Sequence, residues 1–194
     1  MARRTQISRE IILDTAFRML VRDGYSAINI TTLAREIGCS TQPIAWHFGN
    51  MDGLRNALLR YSLDHLRDHF TLNGDSTGPM LAEIQRKYID LAFDSPYLYK
   101  YLYMTDQDFM KTEDLIQTLR FPNYEKVLHM LQREYPVSEA AARRYLVDLQ
   151  LYVHGIASCV VAKIPFASKE TVLVMIHDAN EAFLEKMLKT SRVD

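Results

Sequence analysis

The stretch NITTLAREIGCSTQPIAWH, Asn29 to His47, decides the reading of this chain. Asn29 is a good N-cap, and Ile30, Leu33, Ala34 and Ile37 follow it at helical spacing. Gly38 ends that short helix and permits the left-handed backbone that a tight reversal often needs. Ser40 is expected to cap a further helix, Thr41 to His47, with Pro43 in its first turn, where a missing N–H costs little. Two short helices joined by a tight turn make the helix-turn-helix pattern. The outer face of the second helix carries Thr41, Gln42, Pro43, Trp46 and His47. Gln bonds an adenine edge with two hydrogen bonds, and Thr and Pro offer apolar contact to a thymine methyl. Ser40 and the helix N-terminus suit a backbone phosphate. On spacing alone, an ordinary helical hairpin with a polar outer face fits equally well.

Helices this short need support from a third. On the N-terminal side, Ser8 caps a helix with Glu10 in its first turn, a buried stripe of Ile12, Ala16, Met19 and Leu20, and Gly24 as its stop. On the C-terminal side a longer helix runs from about Met51 to Phe70, with Leu54, Leu58, Tyr61 and Leu66 inward. The clearest loop, LNGDSTGP, spans Leu72 to Pro79. Pro79 and Pro96 then open two helices, and Pro122 opens or kinks another. Ser138 to Ile164 reads as a long helix closed by Pro165, and Ser168 caps a last one reaching about Thr190. β alternation bounded by hairpin turns is absent. The expectation is an all-α chain of about nine helices, divided into residues 1–50 and 51–194.

Charge divides the chain as well. Residues 1–60 hold eight arginines against five acidic residues, a balance of +3, whereas the remainder holds 15 basic and 19 acidic residues. A basic front end on an acidic body suits one part that meets phosphate and one that does not, although three charges are few. The longest candidate span, Ile156 to Ile164, is far too short to cross a bilayer, and Met-Ala-Arg-Arg-Thr-Gln has no apolar stretch behind it. Cys39 and Cys159 lack the spacing of a disulfide framework or zinc finger. The chain reads as cytoplasmic.

The segment TTLAREIGCSTQPIAWHFGNMDGL, Thr31 to Leu54, resembles the signature of the tetracycline-repressor (TetR) family, with Leu33-Ala34, Gly38, Ser40, Trp46-His47-Phe48 and Leu54 at the family's spacing. The similarity covers about the first 60 residues. Beyond them only helix count, helix length and a VHGIAS stretch, Val153 to Ser158, correspond. The resemblance implies a bacterial transcription regulator, a repressor in the usual case. Such a protein binds double-stranded, palindromic operator DNA as a homodimer and is released by a small-molecule effector in its C-terminal part. It implies further that Asn29, Thr31 and Ser40 lie at the DNA backbone or groove wall, that Thr41, Gln42 and Pro43 face base edges, and that Trp46 and His47 approach phosphates. Two positions depart from the family pattern: Ala45 replaces a phosphate-contacting Tyr, and Met51 replaces a Lys. Trp46, Arg55, Arg3 and Arg4 are the residues available to compensate.

For the effector pocket implied by the family, the sequence offers Tyr61, Tyr88, Tyr101, Met104, Phe121, Tyr124 and Tyr152, together with Phe109 and the aromatic run Tyr97 to Met104. Each is equally readable as core. Val153, Gly155, Ala157 and Val160, with Met175, Ala179 and Phe183, lie on the apolar stripes of the last two helices, the pair the family uses for dimerisation. No cofactor, catalytic residue or metal is expected. Asp64-His65-Leu66-Arg67-Asp68-His69 sets two histidines one turn apart, but a HExxH glutamate is missing, and a solvated helix face is the plainer reading. The alternatives are a DNA-binding regulator without an effector and, further off, a helical metal-binding enzyme.

Overall fold

Ser8 accepts a hydrogen bond from Ile11 N at 3.3 Å and starts α1 (Arg9–Asp23), which Gly24 ends. A 3-10 turn (Tyr25–Ala27) leads to Asn29, the cap of α2 (Ile30–Ile37). Then come α3 (Gln42–Phe48), α4 (Met51–Phe70), α5 (Thr77–Asp94), α6 (Pro96–Tyr103), α7 (Tyr124–Glu134), α8 (Glu139–Val161) and α9 (Lys169–Thr190). The computed structural model describes residues 7–70, 76–104, 123–165 and 167–190, with the side chains of residues 68 and 69 set aside. Among the described residues the fold is all-helical, with nine α-helices and no strand. Phe121, Phe109, Pro122, Arg3 and Arg4 lie outside the described residues, as does Leu72 to Asp75 of the expected loop.

Three boundaries differ from expectation. Helix α5 begins at Thr77, two residues ahead of Pro79. Proline is tolerated there because first-turn N–H groups have no intrahelical acceptor, and the Glu134 carboxylate accepts from Thr77 N at 3.0 Å. Helix α8 ends at Val161 rather than Ile164, with Lys163 left-handed at φ 57°. The residue before Pro165 is disfavoured in helical geometry, so the helix stops short. Ser40 is not the cap of α3: the N-cap is Thr41, itself helical and without a side-chain cap bond. A capping side chain needs an extended backbone to fold back on the first turn, and Pro43 removes one of the N–H groups a cap would serve.

The chain divides into two compact units. The first joins residues 1–69 to the α6 segment, Ser95–Thr105. Its α1 packs on α2, α3 and α6, over a core that includes Ile12, Ala16, Leu20, Leu33, Ile44, Leu54 and Leu58. Tyr101 of α6 stacks on Tyr25, with ring centroids 5.0 Å apart, and donates to the Arg55 carbonyl at 2.9 Å. Burial raises the Tyr101 pKa and keeps its hydroxyl protonated.

The second unit comprises α5, α7, α8 and α9. Helix α8 packs on α5, α7 and α9, burying Ala142, Tyr145, Leu146, Leu149, Val153 and Ala157. Lys169 at the start of α9 is held 2.6 Å from Asp90 and 3.2 Å from Asp94. Arg86 reaches the same Asp90 at 2.6 Å, so one charged cluster fastens α9 to α5.

Candidate nucleic-acid interface

The first turn of α2 is built by reciprocal hydrogen bonds. Asn29 Oδ1 accepts from Thr31 N at 3.0 Å and Thr32 N at 2.9 Å, and Thr32 Oγ1 accepts from Asn29 N at 3.0 Å. Thr32 also donates to Ala27 O at 2.8 Å, tying the helix to the preceding turn. Such a cap contributes about 0.5–2 kcal/mol. The Asn29 oxygen is thereby committed to the cap, and the amide nitrogen remains for an outside partner. At the other end Gly38 adopts φ 77°, ψ 34°, and Cys39 N donates to Ala34 O at 2.9 Å, closing the turn.

Helix α3 is seated by Ile44, buried at 1% exposure, which fixes the helix rotation. Thr31, Ser40, Thr41, Gln42, Ala45 and Trp46 then face solvent, while Pro43 and His47 are half-buried. Trp46 is 73% exposed, its ring edge-on to His47 at 4.6 Å. So large an apolar ring left in water marks a contact surface more often than a structural need. His47 is less free than the family pattern implied, because its Nε2 lies 3.0 Å from Ile7 O.

Two features of this surface escaped the sequence reading. Asn50 Oδ1 accepts from Gly53 N at 2.9 Å and caps α4. Gly53 packs so closely on the Phe48 carbonyl that a β-carbon there would overlap the oxygen. The asparagine three residues ahead of glycine was a readable cap signal; the close approach had none.

The basic excess is partly spent within the unit. Arg18 pairs with Asp14 at 3.1 Å, and Arg22 bridges Asp23 at 2.7 Å and Glu36 at 3.0 Å. Those two carboxylates raise the Arg22 pKa further above its ordinary value. Arg9 lies over the Phe48 ring and Arg55 over the Tyr25 ring, at 5.3 and 5.7 Å. Arg55 is therefore placed as a packing group.

Comparison with known proteins places this geometry. Residues 12–58 match the family model for bacterial regulatory proteins of the tetR family. The N-terminal segment of the chain, residues 12–58, is thus of the tetR type. A solved structure of a Rhodococcus sp. protein, described as a TetR-family transcriptional regulator, superposes with a TM-score of 0.64. It covers 90% of this chain and 97% of its own at 18% identity, which establishes likeness of fold. No curated protein sequence matches. The matched segment runs from α1 into α4 and contains the whole helix-turn-helix.

The residues expected to line a ligand pocket fall in both units. Tyr61, Tyr101 and Met104 belong to the first. There Tyr61 packs edge-on to Phe17 and against His65, with centroids 5.7 and 4.5 Å away, and Met104 is exposed at the end of α6. Tyr88, Tyr124 and Tyr152 belong to the second. Tyr88 is buried with its hydroxyl 2.8 Å from His154 Nδ1, Tyr124 is buried, and Tyr152 is edge-on to Phe183 at 6.1 Å.

Two open grooves mark the second unit. One, of about 370 Å³, runs between α5 and α9 past Gln85, Ile176 and Asn180. The other, of about 270 Å³, lies between α8 and α9 beside Tyr145, Phe183 and Met187. None of the expected pocket residues among the described ones borders either groove.

The expected dimer stripe also divides. Val153 and Ala157 are buried within their own unit. Gly155 is exposed, and Val160, Met175, Ala179 and Phe183 are half-exposed. Leu151 and Val174 are exposed apolar residues on the same two helices.

Among the described residues no three His, Cys, Asp or Glu side chains group together to hold a metal ion; the His69 side chain of the expected pair lies outside them. The same residues include no helix long and apolar enough to cross a membrane.

Proposed function

We propose that this protein is a TetR-family transcriptional regulator, a cytoplasmic, non-enzymatic repressor that binds a palindromic operator as a homodimer. In this reading α3 enters the major groove with Thr41, Gln42 and Pro43 at base edges, while Asn29, Thr31, Ser40 and Trp46 meet the backbone. The observation that carries it is the seating of α3: Ile44 buried behind, and Thr41, Gln42, Ala45 and Trp46 all turned to solvent. A helix pinned on one side and presenting short polar side chains and a bare aromatic ring on the other has the form of a major-groove reader. Residues 1–50 supply that reading and residues 51–194 the effector response and dimerisation.

Release by a small molecule bound in the C-terminal part belongs to the same proposal. The α5–α9 groove supports it: its volume lies within the range of about 300–1,000 Å³ typical of ligand pockets. Gln85, 8% exposed, borders it with a buried Nε2 that has no hydrogen-bond partner. A buried donor without an acceptor costs about 1–3 kcal/mol, which a carbonyl-bearing ligand would relieve on reorienting the amide.

The test has two arms. Duplexes enriched from a random-sequence library by the full chain are titrated against scrambled controls, and the complex is sedimented. A preference for the enriched duplex and two protomers per duplex are expected; equal affinity for all duplexes sinks the operator reading. Compounds that raise the melting temperature are then tested for reciprocal effects, since an effector that weakens DNA binding must bind the DNA complex more weakly by the same factor. If no such compound changes DNA affinity, a regulator without an effector is the better description.

A further inference from the structure

The groove of about 370 Å³ between α5 and α9 has apolar walls, Ala82 from α5 and Leu173 and Ile176 from α9. Into them α5 sets Gln85, only 8% exposed, whose Nε2 is buried and has no hydrogen-bond partner among the described residues. An unpaired buried amide weakens a fold, and an apolar side chain of similar shape would not, so packing gives no reason for glutamine here. Turning the amide exchanges its nitrogen and oxygen but keeps the requirement, a donor and an acceptor side by side. Asn180, which borders the same groove from α9, accepts from the Tyr145 hydroxyl through Oδ1 and keeps its Nδ2 to donate. Charge narrows the ligand further. The Arg86 guanidinium is taken up by Glu83 and Asp90, each at 2.6 Å, His177 is exposed, and Glu181 adds a carboxylate. An anion would therefore enter without a committed counter-charge.

We infer that this groove takes a neutral molecule with a lactam edge, an N–H and a C=O side by side on a ring, and an otherwise apolar body. The ligand N–H donates to Gln85 Oε1. Its carbonyl accepts from Gln85 Nε2 and Asn180 Nδ2, while its carbons lie on Leu173 and Ile176. The inference rests on the reading of this groove as a ligand site and names the chemistry that site would select.

The experiment titrates the nitrogen-labelled full chain with three probes: caprolactam, N-methylcaprolactam and caprolactone. Caprolactam is expected to bind at millimolar concentration, as suits so small a molecule, and to shift the side-chain amide signals of Gln85 and Asn180. Caprolactone keeps the ring and carbonyl but has no N–H, and N-methylcaprolactam has its nitrogen blocked. Both should bind at least about tenfold more weakly, because a site built to pair an N–H rejects the analogue without one. Gln85→Met and Gln85→Leu, with helical content retained, should bring caprolactam down to the level of caprolactone. Equal binding of lactam and lactone to the wild type overturns the inference, and so does a lactam preference that survives both substitutions. Caprolactam that shifts no signal on α5 or α9 overturns it as well. Titration of the enriched duplex separates this site from effector control. Caprolactam held in the groove with DNA affinity unchanged leaves the site standing and removes it from the effector reading. A different compound that releases DNA, with caprolactam unbound, ends this site and leaves the effector reading intact.

Discussion

Gly53, in the first turn of α4, lies directly against the carbonyl oxygen of Phe48, the last residue of α3. Helix α3 is thus seated on α4 by backbone packing, without a side chain that yields. Alanine is favoured over glycine inside a helix by about 1 kcal/mol. Overlap with a fixed backbone oxygen costs more, about 1–3 kcal/mol or above. Gly53→Ala is therefore expected to lower the melting temperature, at about 2–4 °C per kcal/mol for a chain of this size. Circular dichroism decides; a melting temperature at or above wild type would mean that the junction relaxes freely.

Gln42 is the exposed α3 residue best suited to reading a base. Gln42→Ala should weaken binding to the enriched duplex by about 1–3 kcal/mol, roughly 5–150-fold. Binding to scrambled DNA should hardly change. Equal losses on both duplexes would show that Gln42 reads no base.

What was legible in the sequence was local. Ser8, Asn29 and Gly38 mark helix ends because their bonds close within four residues or so, and a three-helix module follows from such marks. Thr41 displaced Ser40 as a cap because the choice between neighbouring hydroxyl residues depends on a backbone angle that composition does not encode. Two contacts left no trace: the close backbone approach of Gly53 to Phe48, and His47 on Ile7, 40 residues away in the chain. Apolar stripes announce that a face is buried but not against what. Tyr101 therefore proved to pack on Tyr25 in the first unit, and Val153 and Ala157 to be buried within the second.

Burial holds the His154 pKa below its ordinary value, beside the Tyr88 hydroxyl. The folded state then binds fewer protons at this site than the unfolded chain, whose value is about 6.5. Stability from this group is complete above that pH and falls away as acid titrates the unfolded state. His154→Gln keeps a hydrogen-bonding side chain and removes the titration. Its melting temperature should fall less steeply than wild type's between about pH 7.5 and 5.5. Parallel profiles for the two proteins would show that His154 contributes nothing to acid lability.

The last prediction concerns assembly. Leu151 on α8 and Val174 on α9 are 41% and 58% exposed, and Gly155, one turn beyond Leu151, has nothing within 4 Å of where a β-carbon would stand. Half-exposed Met175 and Ala179 extend the patch along α9. These residues occupy the sides of α8 and α9 left over after Val153, Ala157, Val172 and Ile176 turn inward. A two-fold axis would set this face against its own copy and build a four-helix contact, with Gly155 permitting close approach. Val174→Glu would then place a carboxylate from each subunit in the contact, and a buried charge without a partner costs several kcal/mol. In the isolated chain the same side chain sits in water and costs little. Sedimentation at micromolar concentration should therefore give monomers for Val174→Glu and Gly155→Trp, with helical content retained. Operator affinity should drop with the dimer, because one protomer reaches only one half-site. A Val174→Glu protein that sediments as an intact dimer would exclude this face and direct the search to another surface of the second unit.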